Sequence, residues 1–351
     1  MSKLLTISIA AYNVENTIKE CLDSFLPCHY FNELEILVIN DGSNDNTVKI
    51  VNEYEKKYPN NIRLINKVNG GHGSTINKSL ELATGKFYKV IDGDDWVKPE
   101  EFDKLCDWLK QTETDLVVNA FKWCYPSNPY EEHNEIGFKL HYAYTFEEMY
   151  SVNNENTRIF PMTAITILTD KLRQVGMYIK ENCYYADNEF VAFCGMAADT
   201  ISFDNSCAYQ YRMGTSTQSV SSEGLYKHLE DYYAIFNDLT DIFAKHFSII
   251  TGSSKEKYFL KFLEIYYNSI YINMCDNIVN PDKDYLLINN IQSLRHRHPE
   301  LICKLKLTSI TTYLIAKNPA QFLPLMRRIR KTLIFKILRK VKNFFSRNNG
   351  K

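Results

Sequence analysis

Asp92-Gly93-Asp94-Asp95 places three carboxylates within four residues. Such groups repel one another and raise the energy of a folded chain unless a cation compensates them. Carboxylate oxygens suit Mg2+ or Mn2+, ions that share their coordination with phosphate oxygens. Gly93 removes a side chain where a ligand could approach closely. A plainer reading is a solvated acidic turn ahead of a helix, whose N-terminus also favours Asp. The metal reading is favoured because the cluster follows the apolar run FYKVI, at the end of a buried strand. A second polar turn, Asn40 to Thr47, follows the apolar run LEILVIN. There Asp41 can accept a hydrogen bond from a base N–H or a ribose hydroxyl, while Asp45 suits the cap of the next helix.

The elements that must carry these turns follow from apolar periodicity. Buried strands are expected at 4–11, 34–40, 62–66, 87–91 and 115–121. Helices are expected from an N-cap at Asn13 to about Leu26, then over 46–57, 74–83 and 99–110, with a glycine turn at Gly70 to Gly73. Strands alternating with helices imply an α/β fold with a doubly wound, mostly parallel sheet. In such sheets ligands bind beyond the carboxyl ends of the strands. Tyr12-Asn13, Asp41 to Ser43, Asn69 to Gly73 and Asp92 to Asp95 all fall at those ends, so four unrelated segments converge on one crevice. Residues 122–160 are polar and irregular, and short apolar runs over 160–220 complete this domain. Beyond Ser222 the texture becomes helical, at 223–247, 255–275, 283–297 and 300–345, with breaks near Pro319 and Pro324.

The segments TISIAAYNVENTIKECLDS, EILVINDGSNDNT, NGGHGSTINKSLELATGKFYKVIDGDDW and YYADNEF stand in an order that resembles bacterial-type family 2 glycosyltransferases of the GT-A fold. The resemblance covers residues 4 to about 220. It implies a catalytic domain over 1–221, with a nucleotide-sugar half to about 121 and an acceptor half from about 122, followed by a helical region over 222–351. It also implies site residues. Ala11, Tyr12 and Asn13 would line the nucleotide pocket, and Asp41 would bind the base. Gly71 and His72 of the GGHG turn and Gly93 would adjoin the donor. Asp92 would sit near ribose and metal, Asp94 would be the principal ligand of Mn2+ or Mg2+, and Asp95 would support it. Asp187 resembles the general base, with Glu189 in reserve, because Ala186 replaces the acidic residue that usually precedes the base. The YQYR segment at 209–212, with Arg212 and the serines near 216–219, resembles the loop that closes over diphosphate and acceptor. Ile76 stands where arginine is frequent; Lys67 or Lys78 could supply that charge. His72 also has a plain reading as a turn histidine.

These groups suit inverting transfer from a nucleotide-diphosphate sugar, a UDP-sugar by the resemblance, to a glycan or lipid-linked glycan. A cation neutralises the leaving diphosphate, and a carboxylate takes the acceptor proton. A nucleotidyltransferase or a catalytically silent sugar-nucleotide-binding scaffold is the alternative. A dinucleotide dehydrogenase is disfavoured, because no G-x-G-x-x-G follows the first strand.

With 45% apolar and 24% charged residues the chain is of globular composition. Nine cysteines without a C-x-x-C pair suggest a reduced, cytoplasmic protein with neither a disulfide frame nor a zinc site. The N-terminus lacks a signal peptide pattern, and no apolar stretch is long enough to span a membrane. The net charge of −1 hides an asymmetry. No acidic residue follows Glu300, and the last 51 residues carry 13 Lys and Arg. Over 325–345 the apolar positions fall on one half of a helical wheel, with Arg327, Arg328, Lys331, Arg339 and Lys342 opposite. That pattern suits a helix lying on the anionic, cytoplasmic face of a membrane, peripherally attached. A helix packed on the body, with a solvated basic face, is the alternative. Nucleic acid is not expected as a partner, since no recognised binding fold accompanies the charge.

Overall fold

The computed structural model describes residues 3–125, 131–133, 137–152, 159–214, 224, 227–250, 252–276, 281–305, 314 and 317–330. The chain divides into two compact units, one comprising Met1–Gln218 with Ser248–Tyr258 and the other Ser219–Phe247 with Phe259–Lys351.

The first unit alternates strand and helix: β1 (Leu5–Ala11), α1 (Ile18–Phe25), β2 (Leu34–Asn40), α2 (Thr47–Lys57), β3 (Ile62–Asn66), α3 (Gly71–Leu82) and β4 (Phe87–Asp92). It continues with β5 (Trp96–Val97), α4 (Pro99–Gln111), β6 (Leu116–Cys124), β7 (Glu131–His133), β8 (Tyr144–Thr145), α5 (Phe146–Val152), β9 (Ile165–Leu168), α6 (Thr169–Gln174), α7 (Asp187–Ala197) and β10 (Thr200–Arg212). One sheet runs in the order β3-β2-β1-β4-β9-β6-β10-β5, with β7 on β6 and β8 on β10. The first four strands in this order are parallel, and so are β6 and β10; β9 runs antiparallel between the two sets. This is the mostly parallel α/β sheet expected from the strand–helix alternation.

β1, β2 and β4 are buried on both faces, as unbroken apolar runs in parallel strands should be. The polar exceptions are satisfied: Thr6 donates to Glu35 at 2.6 Å, and Ser8 to Ser79 at 2.6 Å. Register brings the carboxyl ends level. Ala11 lies beside Asn40, Asn40 beside Asn66, and Ala10 beside Asp92. The four polar turns therefore leave the sheet at one edge. β10 carries an irregularity between Asp204 and Tyr209, where its pairing with β6 shifts. Such bulges bend a strand and re-aim its side chains.

Two local expectations are corrected. The first helix starts at Ile18, because Asn13 adopts a left-handed φ of 52° and cannot cap it. The third helix begins at Gly71, so the glycine turn is its first turn.

From Leu229 on, the elements are helical: α8 (Leu229–Ile250), α9 (Ser254–Asp276), α10 (Pro281–Arg297), α11 (Pro299–Lys304) and α12 (Pro319–Arg330), all in the second unit except the α8–α9 junction Ser248–Tyr258. α8 and α9 pack through aromatic pairs, Tyr232 on Tyr266 at 4.6 Å and Phe236 on Tyr267 at 5.4 Å. Pro324 lies inside α12 instead of breaking it. Arg327, assigned above to a solvent-facing basic side, is only 3% exposed and forks onto both oxygens of Asp284 at 2.6 and 2.7 Å. A buried guanidinium needs such a bidentate partner. Leu325 and Ile329 of the same helix are exposed. Residues 331–345, the greater part of the expected amphipathic helix, lie outside the described residues, as do the serines near 216–219. Among the described residues no helix is long and apolar enough to cross a membrane.

Candidate active site

On the β1–β2 side of the crevice the turns brace one another. Asn13 donates its backbone N–H to Ser43 Oγ at 3.0 Å and accepts the backbone N–H of Asn44 at 2.8 Å. Asp45 accepts the N–H of Thr47 at 3.0 Å, the capping bond expected for it, and also that of Glu15. Ala11 is buried, whereas Tyr12 stands 51% exposed at the rim.

Asp41 is almost wholly buried. Its Oδ1 accepts Lys67 Nζ at 2.7 Å, the Gly70 N–H at 2.9 Å and the Ser74 hydroxyl at 3.3 Å; its Oδ2 accepts the Gly71 N–H at 2.8 Å. Three of these four donors crowd one oxygen, leaving a lone pair on Oδ2. Asp41 thus holds the glycine turn in place, a task the sequence did not reveal. Lys67 is the lysine near the site, since Lys78 pairs with Glu81 along the helix surface.

On the β4 side, His72 Nε2 lies 2.9 Å from Asp92 Oδ1. Burial works to lower the pKa of His72, but the hydrogen bond and charge of Asp92, with the charges of Asp187 and Asp94, hold it above its ordinary value. Asp94 is half-buried, and among the described residues its carboxylate takes no side-chain hydrogen bond or ion pair. Burial and then the neighbouring Asp92 raise its pKa, against the pull of Arg212 and His72. Asp95 is 1% exposed, and its two oxygens accept the Tyr209 hydroxyl at 2.6 Å and the Arg212 N–H at 2.7 Å. Burial, followed by the charges of Asp92 and Asp94, pushes it up to about 9.

Arg212 Nε donates to the Asp94 carbonyl at 2.8 Å, its Nη2 to Glu20 at 2.6 Å, and its guanidinium lies over the Trp96 ring at 4.6 Å. Gly93 does allow a close approach, but of the chain itself. A Cβ there would meet the Ala10 carbonyl at 2.8 Å and Val14 at 3.2 Å, and the Gly93 N–H donates to that same carbonyl. Its small size serves the packing of β4 against the β1–α1 turn.

Asp187 opens α7, where a helix N-terminus favours a carboxylate. Burial raises its pKa, His72 lowers it and Asp92 raises it, which places all three in one electrostatic neighbourhood. The segment leading to Asp187 is clamped to α3. Asn77 exchanges two hydrogen bonds with the backbone of Ile179 at 2.8 and 2.9 Å, and the Asn182 N–H donates to the Gly70 carbonyl. Gly73 admits the Lys180 carbonyl where a Cβ would come within 2.3 Å. Tyr185 sits at φ 64°, a costly conformation for a bulky residue, held by Asn188, which donates both its N–H and its side-chain amide to the Tyr185 carbonyl. Glu189 is buried and accepts the Lys180 N–H at 2.6 Å, so it braces this segment from within.

No group of three or more His, Cys, Asp or Glu side chains among the described residues is placed to hold a metal ion by itself. Asp94, its pKa raised by burial and then by Asp92, stands two residues from Asp92 as a second source of hard oxygens. This donor set fits a divalent cation whose other positions are filled by diphosphate and water, as Mg2+ and Mn2+ prefer. Both oxygens of Asp95 accept hydrogen bonds from β10, one from the Tyr209 hydroxyl and one from the Arg212 N–H. Nothing in the sequence marks Glu20 or Trp96 as part of the site, and Tyr209 is marked only by its place in the YQYR segment that carries Arg212; that a buried Tyr needs a partner does not single it out among 24 tyrosines.

Residues 6–175 match the sequence model of Glycosyl transferase family 2. The uncharacterized glycosyltransferase YibD of Escherichia coli strain K12 is 33% identical over 121 residues, covering 34% of this chain and 35% of YibD. The matched part spans between about a third and two fifths of the first curated relatives. Among solved structures, residues 1–349 of S. aureus TarS in complex with UDP-GlcNAc align with a TM-score of 0.65 and 19% identity, covering 92% of this chain and 89% of that one. The mannosyltransferase PcManGT of Pyrobaculum calidifontis, in complex with GDP-Man and Mn2+, aligns with a TM-score of 0.50 and 16% identity over 95% and 89% of the two chains. The chain carries a family 2 glycosyltransferase domain of the GT-A fold.

Proposed function

We propose that this domain transfers a sugar from a UDP-sugar to a hydroxyl of a glycan or lipid-linked glycan, with inversion at the anomeric carbon. The observation that carries the reading is the pair Asp94 and Asp187. Both carboxyls are held above the usual range by burial at the carboxyl edge of a parallel sheet, and both lie in the field of Asp92 and His72. A carboxylate left at raised energy is available to a cation or a proton. The donor complexes of TarS and PcManGT support the choice of a nucleotide sugar, and the Mn2+ of the latter supports a divalent cation.

Asp94, with Asp92, would hold Mn2+ or Mg2+ against the donor diphosphate. When bound, the cation neutralises charge on the leaving nucleoside diphosphate. Tyr12 and Asn13 would face the base, and the remaining lone pair on Asp41 Oδ2 would accept its N–H. Asp187 would take the acceptor hydroxyl proton as the acceptor oxygen bonds to the anomeric carbon and the bond from that carbon to the diphosphate oxygen breaks. Attack opposite the leaving group inverts the centre. His72, protonated more readily through Asp92, would face the developing diphosphate charge.

The test is UDP release from a panel of UDP-sugars by purified protein, with Mn2+ and after chelation. Release of sugar 1-phosphate in place of UDP would assign a nucleotidyltransferase, and binding without turnover a silent scaffold. We further propose peripheral attachment to the cytoplasmic membrane face through the basic residues after Glu300, with Arg327 removed from that set by its pairing with Asp284. Co-sedimentation with anionic vesicles that weakens with salt supports attachment; no sedimentation at low salt removes it.

A further inference from the structure

We infer that the end of β10 is a positioning device for Asp94, and that Asp95 and Tyr209 are its buried latch rather than metal ligands. The inference rests on the proposed role of Asp94 toward a metal-bound diphosphate. The turn from Asp92 to Asp95 is tied to β10 at four atoms. The Asp92 N–H donates to the Tyr209 hydroxyl at 3.2 Å, and that hydroxyl donates to Asp95 Oδ2 at 2.6 Å. The Arg212 N–H donates to Asp95 Oδ1 at 2.7 Å, and Arg212 Nε to the Asp94 carbonyl at 2.8 Å. From the other side the Gly93 N–H donates to the Ala10 carbonyl at 3.0 Å. Every residue of the turn is thereby fixed by backbone or side chain, and the Asp94 carboxylate is the one left to point onward. Tyr209 is wholly buried, so its hydroxyl has no water to replace Asp95. A preorganised ligand depends on such supporting bonds, whose loss lowers metal affinity by about 10- to 100-fold.

The latch makes an asymmetric prediction. Tyr209→Phe and Asp95→Asn should each weaken Mn2+-dependent UDP binding, by about tenfold, while leaving UDP affinity in the presence of chelator unchanged. Asp94→Ala should abolish the Mn2+-dependent increment altogether. Calorimetry with UDP, with and without Mn2+, reads all three. If Asp95→Asn matches Asp94→Ala while Tyr209→Phe binds as wild type, Asp95 is a ligand and the latch is wrong. If the wild type shows no Mn2+ increment, the role of Asp94 fails instead, and the latch is then judged without metal. Urea unfolding of the metal-free single and double variants should give non-additive midpoint shifts, the double variant lying near the worse single one. Additive shifts would overturn the latch whatever Asp94 does.

Discussion

Asp41 and Asp94 follow β2 and β4, the parallel strands on either side of β1, at the same edge of the sheet, and the chain treats them in opposite ways. Asp41 receives four donors, including a lysine and two backbone N–H groups. Asp94 receives no side-chain donor among the described residues, while Asp92 and burial raise its pKa. The β2 end is an anchor that holds the glycine turn; the β4 end is a rigid turn carrying an unsatisfied charge. Acidic residues in strand-end turns therefore divide by their partners, not by their position, and the unsatisfied ones are where chemistry is to be sought.

The sharpest break of this contrast is at Asp94. Asp94→Ala should lower turnover by on the order of 10³-fold or more, because several kcal/mol of charge stabilisation at the diphosphate would go with the cation. Its thermal stability should hold or rise, since a repulsive carboxylate is removed. UDP release and a melting curve read the two effects, and a large fall in stability would place Asp94 with the anchors.

Next in size is Asp187→Asn, expected to cut transfer by roughly 10²-fold or more while donor binding persists. Glu189→Gln should do the converse. Glu189 supports the Lys180 backbone from a buried position, so the variant loses about 1–3 kcal/mol of stability and little turnover per folded molecule. An inactive Glu189→Gln beside a fully active Asp187→Asn would exchange their roles.

Asp41→Ala should act mainly on stability. It strands a partly buried lysine and two backbone N–H groups, for a loss of about 2–4 kcal/mol. Nucleotide affinity should fall as the glycine turn loosens. A variant of unchanged unfolding midpoint that discriminates less between bases would make Asp41 a recognition residue before an anchor.

Much of this arrangement was legible in the residues. Strands β1, β2 and β4 read as apolar runs because both their faces are covered, and the DGDD turn stands out because its charges need explaining. What stayed hidden depends on contacts distant in sequence. Tyr209 reaches Asp95 across 114 positions, and no local pattern marks one tyrosine for that bond. No local pattern shows that the space a side chain would need at Gly93 is filled by Ala10 and Val14. Asn13 resembled a helix cap because its side chain suits one, and only its left-handed backbone shows that it ties two turns together. Arg327 looked solvent-facing on a helical wheel, which cannot show Asp284.

The smallest expected effect on function tests the contrast from its other side, at a perturbed group that does have partners. Lys89 is fully buried in β4, and burial lowers its pKa to about 7. Its Nζ donates to Asn119 Oδ1 at 3.2 Å and to the carbonyls of Thr163 and Ile165 at 2.9 and 3.1 Å. All three ammonium hydrogens are used, inside the sheet and away from the crevice, so Lys89 should be structural despite its shift. An unfolded lysine keeps its proton to about pH 10.4. Between about pH 7 and 10 the unfolded chain therefore binds more protons than the folded one. Stability should rise with pH across that window and be lost as pH falls through 7. The slope cannot exceed about 1.4 kcal/mol per pH unit. Lys89→Met should flatten this dependence in urea unfolding series, while turnover per folded molecule stays near wild type, because methionine can still pack against the Tyr209 ring. If turnover collapses while the folded fraction is unchanged, a fully bonded ionisable group has a catalytic role, and partner count no longer separates anchors from reacting groups in this protein.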